Sequence, residues 1–317
     1  MINIIDDIKE IKTPLINPVL TIGNFDGVHR GHLAIFDKVK QIAKAVNGQS
    51  VVITFDPHPV KVMKPENGLP LITSIRQKLK LISDAGIDVV FCISFNKQFS
   101  DISARDFVKE ILVNRIGVRE IVVGYDYTFG RGRQGDIKLL RDMGKEFGFN
   151  VQVIEPVHLD KTLVSSTYIG DLVLEGDLVE AKRLLGRDYQ ISGTVIKGTG
   201  RGTDLLGIPT ANLRTLDELI PRKGVYAVIV DIADGSYYGV CNIGNNPTFG
   251  EKALSIETHL LGFNKDILGK EFTIKFLHRL RGEKKFDSKE GLADQIRKDI
   301  TRSRKFFGLH EPGQISK

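Results

Sequence analysis

The sequence predicts two domains of different class: an α/β N-terminal half built on a doubly wound parallel sheet, and a C-terminal half forming a mostly antiparallel β-barrel closed by a helix. Three observations carry that prediction. Through about Pro156, apolar β-branched runs alternate with helical stretches, the pattern of parallel strands joined by crossover helices. Beyond about Gly186 the strands alternate as half-buried strands do, and the segments between them are too short for crossover helices. The length, 317 residues, suits two cores of ordinary size and would make one domain unusually large. The expected domains are therefore 1–185 and 186–317.

In chain order, the first half carries strands at "VLTIG" from Val19, "SVVITF" from Ser50, "DVVFCISF" from Asp88, "EIVVGY" from Glu120 and "VQVIEP" from Val151. Helix starts are marked locally. Ser103 precedes Asp106 by three residues and Ser74 precedes Gln77 by three, the spacing of a capping box. Thr167 to Leu185 reads as two short helices around Glu175, Gly176 and Asp177. Barrel strands follow at "YQISGTVI", "GVYAVIVDIA", "SYYGVCNIG", "LSIETHLL" and "EFTIKFLH", and a helix from about Lys289 to Phe307 closes the barrel. The chain has no internal repeat and no low-complexity tract.

Composition is that of a globular protein, with 41% hydrophobic and 26% charged residues. No apolar run reaches the length of a membrane span. The opening "MINIIDDIKEIK" carries acidic residues where a signal peptide is basic, so a cytoplasmic protein without a membrane partner is expected. Cys92 and Cys241 lie far apart inside strand-like runs, which argues against a disulfide framework or a zinc site. The formal charge of +6 is spread along the chain in short clusters. Anionic small molecules such as nucleotides explain it as well as nucleic acid would, and no nucleic-acid partner is expected. The sequence leaves a homo-oligomer open.

The first strand runs into "GNFDGVHRGH", Gly23 to His32. Asn24, Asp26 and Gly27 supply the turn chemistry, but a turn alone does not call for two histidines. His29 and His32 sit where the strand hands over to a helix, whose exposed amides and dipole favour an anion. Imidazoles there can donate to phosphate oxygens and stabilise the charge that develops when a nucleotide phosphate is attacked. Solvent-facing turn histidines and a two-histidine metal site are the alternatives.

Gly23 to His32 resembles the HxGH signature of the nucleotidyltransferase superfamily. "TFDPHP", "FSDISARDFV", "VGYDYTFGRGRQGD" and "VSSTYIG" follow in the order seen in the adenylyltransferase half of bacterial bifunctional riboflavin kinase/FAD synthetases. The resemblance implies that His29 and His32 are catalytic. It implies nucleotide binding by Gly23, Asn24, Phe25, Asp26, Gly31, Gly124, Asp126, Ser165, Ser166 and Thr167, and flavin binding by Asp56, His58, Tyr125 and Phe129. The chain departs from the family at Gly170, where an arginine usually grips the triphosphate. "GRGRQG", Gly130 to Gly135, formally satisfies the dinucleotide fingerprint, but "YDYTF" separates it from the strand and charged side chains crowd the phosphate path.

In the second half, "GTGRGTDLLGIPTANL" runs from Gly198 to Leu213. The hydroxyl of Thr210 and the amide of Asn212, two apart on an extended chain, face the same way and suit a hard cation such as Mg²⁺. The segment resembles the ATP- and magnesium-binding signature of riboflavin kinases, which implies a flap of Gly198, Gly200 and Gly202 over ATP, with Pro209 beside the nucleotide. Phosphorylation of an alcohol needs a proton acceptor. Glu257 in "SIETHLL" matches the family's catalytic glutamate, and Arg281, Phe286 and Asp287 in "RGEKKFDS" are its flavin or nucleotide contacts. No GxxxxGK[ST] occurs. The resemblance implies phosphorylation of riboflavin to FMN and adenylyl transfer from ATP to FMN, giving FAD. A kinase with an impaired adenylyltransferase half, because of Gly170, and a flavin-binding regulator without turnover remain as alternatives.

Overall fold

The structure, a computed structural model, describes residues 3–5, 15–67, 70–197, 209–215, 218–245 and 254–309. The chain divides into two compact units, Met1–Ser166 and Thr167–Lys317.

The first unit is a six-stranded sheet in the order β1-β4-β3-β2-β5-β6. The strands are β1 (Asn3–Ile5), β2 (Val19–Ile22), β3 (Ser50–Asp56), β4 (Val89–Ser94), β5 (Glu120–Gly124) and β6 (Asn150–Ile154). All their pairings are parallel. A short antiparallel pair, β7 (His158–Leu159) and β8 (Thr162–Leu163), follows them in the chain. The five strands expected from the pattern are present, and β1 adds an edge strand. Helices α1 (Arg30–Ala45), α2 (Pro59–Met63), α3 (Ile75–Asp84), α4 (Lys97–Ser100), α5 (Ala104–Asp106) and α6 (Ile137–Phe147) lie between them. Phe107–Ile116 continues α5 as a π-helical stretch that ends on Gly117 at φ 70°. Ser74 and Ser103 cap α3 and α5 as their spacing predicts.

Strand residues alternate between two buried faces. Leu20, Ile22, Val51, Ile53 and Phe91 join the core that includes Phe107, Leu112 and Leu140. Val19 and Val122 pack with Val39 and Ala43 of α1, and Val52 and Val90 pack with Phe25 and Phe36. Burial on both faces is why these strands read as unbroken apolar runs. The chain leaves β2 toward β3 on one side and returns to β5 on the other, so the carboxyl ends of β2 and β5 form the switch point where ligands bind in such sheets.

α7 (Ser166–Glu175), which starts on the last residue of the first unit, and α8 (Leu178–Leu185) are the two helices expected around Gly176. They group with the barrel by contact, and α8 packs on the first and last barrel strands. The barrel is closed in the order β10-β13-β12-β11-β14-β9. Its strands are β9 (Tyr189–Ile196), β10 (Ala211–Arg214), β11 (Gly224–Ile232), β12 (Gly235–Asn245), β13 (Leu254–Leu260) and β14 (Glu271–Arg281), all paired antiparallel. Aromatic side chains fill it: Tyr226 meets Phe276 edge-on at 5.4 Å between centroids, and Tyr189 stacks at 6.3 Å. The Tyr189 and Tyr226 hydroxyls donate to the carbonyls of Leu219 and Arg222, so each buried ring has its polar tip satisfied.

The closing helix α9 (Lys289–Phe306) packs on β11, β12 and β14. Arg281 at the end of β14 forms a bidentate ion pair with Asp299 of α9 at 2.8–3.0 Å, Gln295 donates to the same carboxylate at 3.0 Å, and Asp299 is only 3% exposed. Breaking such a pair leaves a guanidinium without its counter-charge. Asp299→Ala is expected to destabilise the barrel by roughly 3 kcal/mol, read by urea denaturation of the full chain.

Candidate active sites

In the first unit the motif residues gather at the carboxyl ends of β2, β3 and β5. His29 is the N-cap of α1. Its Nδ1 accepts the backbone N–H of His32 at 3.3 Å, and the His32 Nδ1 accepts the backbone N–H of His29 at 3.3 Å. The rings stack with centroids 3.5 Å apart and planes 19° from parallel. This is a capping box in which imidazoles stand where Ser and Glu usually do. A ring nitrogen that accepts a hydrogen bond carries no proton, so each neutral ring has its proton on Nε2 and presents an Nε2–H donor. No acidic residue occupies the first turn of α1, which leaves its positive end to an external anion.

Gly31 makes the stack possible: a Cβ there would lie 3.1 Å from Cε1 and Nδ1 of His29. Gly23 has the same relation to Phe25, whose ring would stand 2.9 Å from a Cβ at position 23. Phe25, at φ 49°, folds back so that its ring meets His32 edge-on at 5.2 Å and Phe36 at 5.0 Å.

Asp26 has a structural role in the turn. Its carboxylate accepts the N–H groups of Ile72 and Thr73 at 3.0 and 3.1 Å and the Thr73 hydroxyl at 3.1 Å. It thereby locks the turn after β2 to the segment before α3. The Asp26 carbonyl accepts the Ser166 hydroxyl at 2.9 Å, joining the Ser165–Ser166 motif to the same turn. The Asn24 carbonyl accepts from Thr54 Oγ1 and Lys78 Nζ, both at 3.2 Å. Thr167 lies exposed on the first turn of α7.

Of the flavin candidates, Asp56 is exposed at the end of β3 and His58 is buried. His58 caps α2, its Nδ1 accepting the Val60 N–H at 3.2 Å. Burial lowers its pKa, opposed by the charge of Asp26 and aided by Lys78 and Lys61. Gly124 ends β5, and Tyr125 and Asp126 follow it exposed. Phe129 is buried and stacks on Tyr127 at 5.5 Å. It ends a run of ring contacts, Phe55–Phe95–Phe99–Phe107–Phe129, each 5.6–6.1 Å between centroids. Phe55, Phe95, Phe99 and Phe107 were not among the site residues expected from sequence. Their signal is position: aromatic rings clustered after strand ends. The Gly130 to Gly135 segment is a tight loop with positive φ at Gly130, Gly132 and Arg133 and a bridge between Phe129 and Gly135, not a helix-opening fingerprint.

In the barrel, Asn212 of β10 pairs directly with Glu257 of β13, which pairs in turn with Asn242 of β12. Directly opposed residues share a face. Ile256, Thr258 and Leu260 are buried inward, so the row Asn212–Glu257–Asn242 lies on the outer face. Asn212 is 9% exposed and Glu257 is half-buried. Thr210 stands two residues before Asn212, as the oxygen-donor pattern requires. The Pro209 carbonyl accepts from His259 Nδ1 at 2.9 Å, and burial lowers the His259 pKa. Asn242 and His259 were missed by sequence because their neighbours come from other strands.

Arg281, expected at the ligand, is held by Asp299 as described above. Phe286 is half-buried with Lys284 5.6 Å from its centroid, and Asp287 is exposed. Gly198, Gly200 and Gly202 lie outside the described residues. Among the described residues no three His, Cys, Asp or Glu side chains group as a metal site.

A family model described as FAD synthetase matches residues 12–168, and one described as riboflavin kinase matches residues 185–307. A bifunctional riboflavin kinase/FMN adenylyltransferase of Buchnera aphidicola subsp. Acyrthosiphon pisum is 37% identical over 310 residues, covering 97% of this chain and 98% of the relative. One from Escherichia coli is 35% identical over 295 residues, with 93% and 94% covered. A crystal structure from Streptococcus pneumoniae, described as a macrolide-efflux protein, matches with TM-score 0.84 at 31% identity, covering 95% of this chain and 98% of that one. Among the described residues no helix is long and apolar enough to cross a membrane. With both halves matched in order and relatives aligned from end to end, the chain belongs to the bifunctional riboflavin kinase/FMN adenylyltransferase family.

Proposed function

We propose that the chain makes FAD from riboflavin in two ATP-dependent steps. In the first, the riboflavin 5′-hydroxyl oxygen attacks the γ-phosphorus of ATP, ADP leaves, and Glu257 accepts the hydroxyl proton, giving FMN. In the second, an FMN phosphate oxygen attacks the α-phosphorus of another ATP, pyrophosphate leaves, and FAD forms. The observation that carries this reading is the end-to-end alignment with relatives that pair the two activities. Kinase activity is assigned to 186–317. Adenylyl transfer is assigned to 1–185, which keeps the Ser165–Thr167 motif with the histidines. The substrates are small molecules and the setting is the cytoplasm; neither step calls for a nucleic-acid or membrane partner.

Both steps rest on positioning and charge stabilisation. The paired Nε2–H donors of His29 and His32 stabilise the negative charge that grows on the attacked α-phosphate, and the amides opening α1 add their own. Exposed Tyr125 and the half-buried Phe95 offer stacking surfaces to a flat isoalloxazine, while Phe107 and Phe129 lie in the core. Thr210 and Asn212 fit magnesium: both are neutral oxygen donors, and a cation held by so few protein ligands takes the rest from phosphate and water. Bound there, Mg²⁺ would neutralise ATP phosphate charge. Glu257, opposite Asn212, is the carboxylate that this reading assigns to the proton of the phosphoryl acceptor.

Three substitutions separate the activities, each followed by resolving flavins after incubation with riboflavin or FMN, ATP and Mg²⁺. Glu257→Gln is expected to lower FMN formation by about 10²- to 10⁴-fold while FMN is still converted to FAD. Gly31→Ala displaces the His29 ring and is expected to lower FAD formation about 100-fold with FMN formation intact. Gly170→Arg adds the charge that the family pattern carries. The nearest atom to a Cβ at position 170 is Leu219 Cδ2 at 3.9 Å, and removing a glycine from α7 favours the helix. A rise of roughly tenfold in kcat/KM for FMN adenylylation is expected.

A further inference from the structure

Lys78 belongs to none of the motifs above. It lies on α3 with 5% of its surface exposed, and its ammonium donates to the carbonyl of Asn24 at 3.2 Å and the carbonyl of Phe55 at 3.0 Å. Among the described residues its hydrogen-bond partners are carbonyls rather than carboxylates. A buried ammonium is costly, and two neutral acceptors offset its lost hydration less well than an ion pair would. A helix that needed only to pack would carry Leu or Met at this position. The two carbonyls belong to the turn after β2 and to the last residues of β3. Phe25, next to Asn24, holds its ring against His32, and His32 is stacked on His29.

We propose that Lys78 is a positioning residue for adenylyl transfer: its ammonium ties the exit of β3 to the turn after β2, and so fixes Phe25 and, through it, the His32 imidazole. The inference rests on the adenylyltransferase reading of this unit. The groups that face the ammonium are Asp26 of the turn, Asp56 of β3, Cys92 of β4 and His58 at the start of α2, with Lys61 beyond His58. Burial lowers the Lys78 pKa, while Cys92, Asp26 and Asp56 oppose the shift. The folded protein therefore loses this proton below the ordinary lysine range as pH rises. Both bonds then lose their charge assistance.

The test compares the full-length wild type, Lys78→Met and Lys78→Arg in both activities and in melting temperature. Lys78→Met is expected to lower kcat for FMN adenylylation about tenfold or more, with KM for FMN and ATP within about twofold. Riboflavin phosphorylation stays at the wild-type rate, and the melting temperature is unchanged or raised. Lys78→Arg retains more activity than Lys78→Met. The wild-type kcat falls at alkaline pH, and that limb is absent from Lys78→Met. A wild-type kcat and an unaltered alkaline limb in Lys78→Met would overturn the inference, as would a loss that follows a lowered melting temperature equally in both variants. A wild type that makes FMN and no FAD would instead overturn the adenylyltransferase reading itself, and the inference with it.

Discussion

Two backbone N–H groups at the start of α1 need acceptors, and the imidazoles of His29 and His32 supply them to each other's residues. Much of the first unit follows from that reciprocal bond. It sets both tautomers, so the Nε2–H groups are donors before any substrate arrives. It brings the rings into stacking contact, so that a Cβ at Gly31 would have to push the His29 ring aside by a few tenths of an ångström. It also leans His32 on Phe25, whose positive φ requires the tight turn that Asp26 clamps to Ile72 and Thr73. The histidines that seemed surplus to a turn are the cap of the helix that the turn feeds.

The barrel reaches a comparable end by register. An antiparallel ladder alternates its side chains, so one pairing decides what faces outward. Placing Ala211 opposite Thr258 in the interior puts Asn212 opposite Glu257 on the outer face, and the β12 pairing brings Asn242 alongside. A one-residue slip of β10 would turn Asn212 inward and separate it from the carboxylate. The Arg281–Asp299 pair stiffens the same end by tying β14 to α9. Asp299 is nearly fully buried, so this tie excludes water as well as linking charges.

The sheet was legible in the sequence because strands buried on both faces are continuous apolar runs, and Ser74 and Ser103 announced their helices through local chemistry. The motif residues were legible because they cluster in sequence before they cluster in space. What sequence could not supply was partnership across elements. The motif shows Arg281 but not Asp299, 18 residues on, which holds its guanidinium. The hydrogen bonds from the backbone at 72–73 to the Asp26 carboxylate are likewise invisible in the motif. Lys78 is hidden by a rule that usually serves well: in "IRQKLKLISD" the buried positions are Gln77, Lys78 and Ile82, so the inward face of α3 carries the residues that periodicity assigns to solvent. The strand β10 was legible only as an extended stretch around "PTAN", since its pairing partners lie in strands distant in sequence.

The histidine tautomers also decide where positive charge must come from. Neutral Nε2–H donors stabilise an oxyanion by hydrogen bonding but add no formal charge, and position 170 on α7, where the resemblance implies an arginine, is a glycine. Arg131 and Arg133, on the loop after β5, are exposed. Guanidiniums in that setting are screened by water and lose conformational freedom on ordering around a ligand. The ammonium of Lys78 is already desolvated and fixed, yet its hydrogen bonds are directed to protein carbonyls, so its influence on the site is through geometry more than contact. A site built this way depends on preorganised dipoles to a greater degree than one carrying the arginine. Its rate should therefore be sensitive to small displacements of the turn after β2 and comparatively insensitive to ionic strength, because fixed dipoles in a partly buried site are screened far less than mobile surface charges.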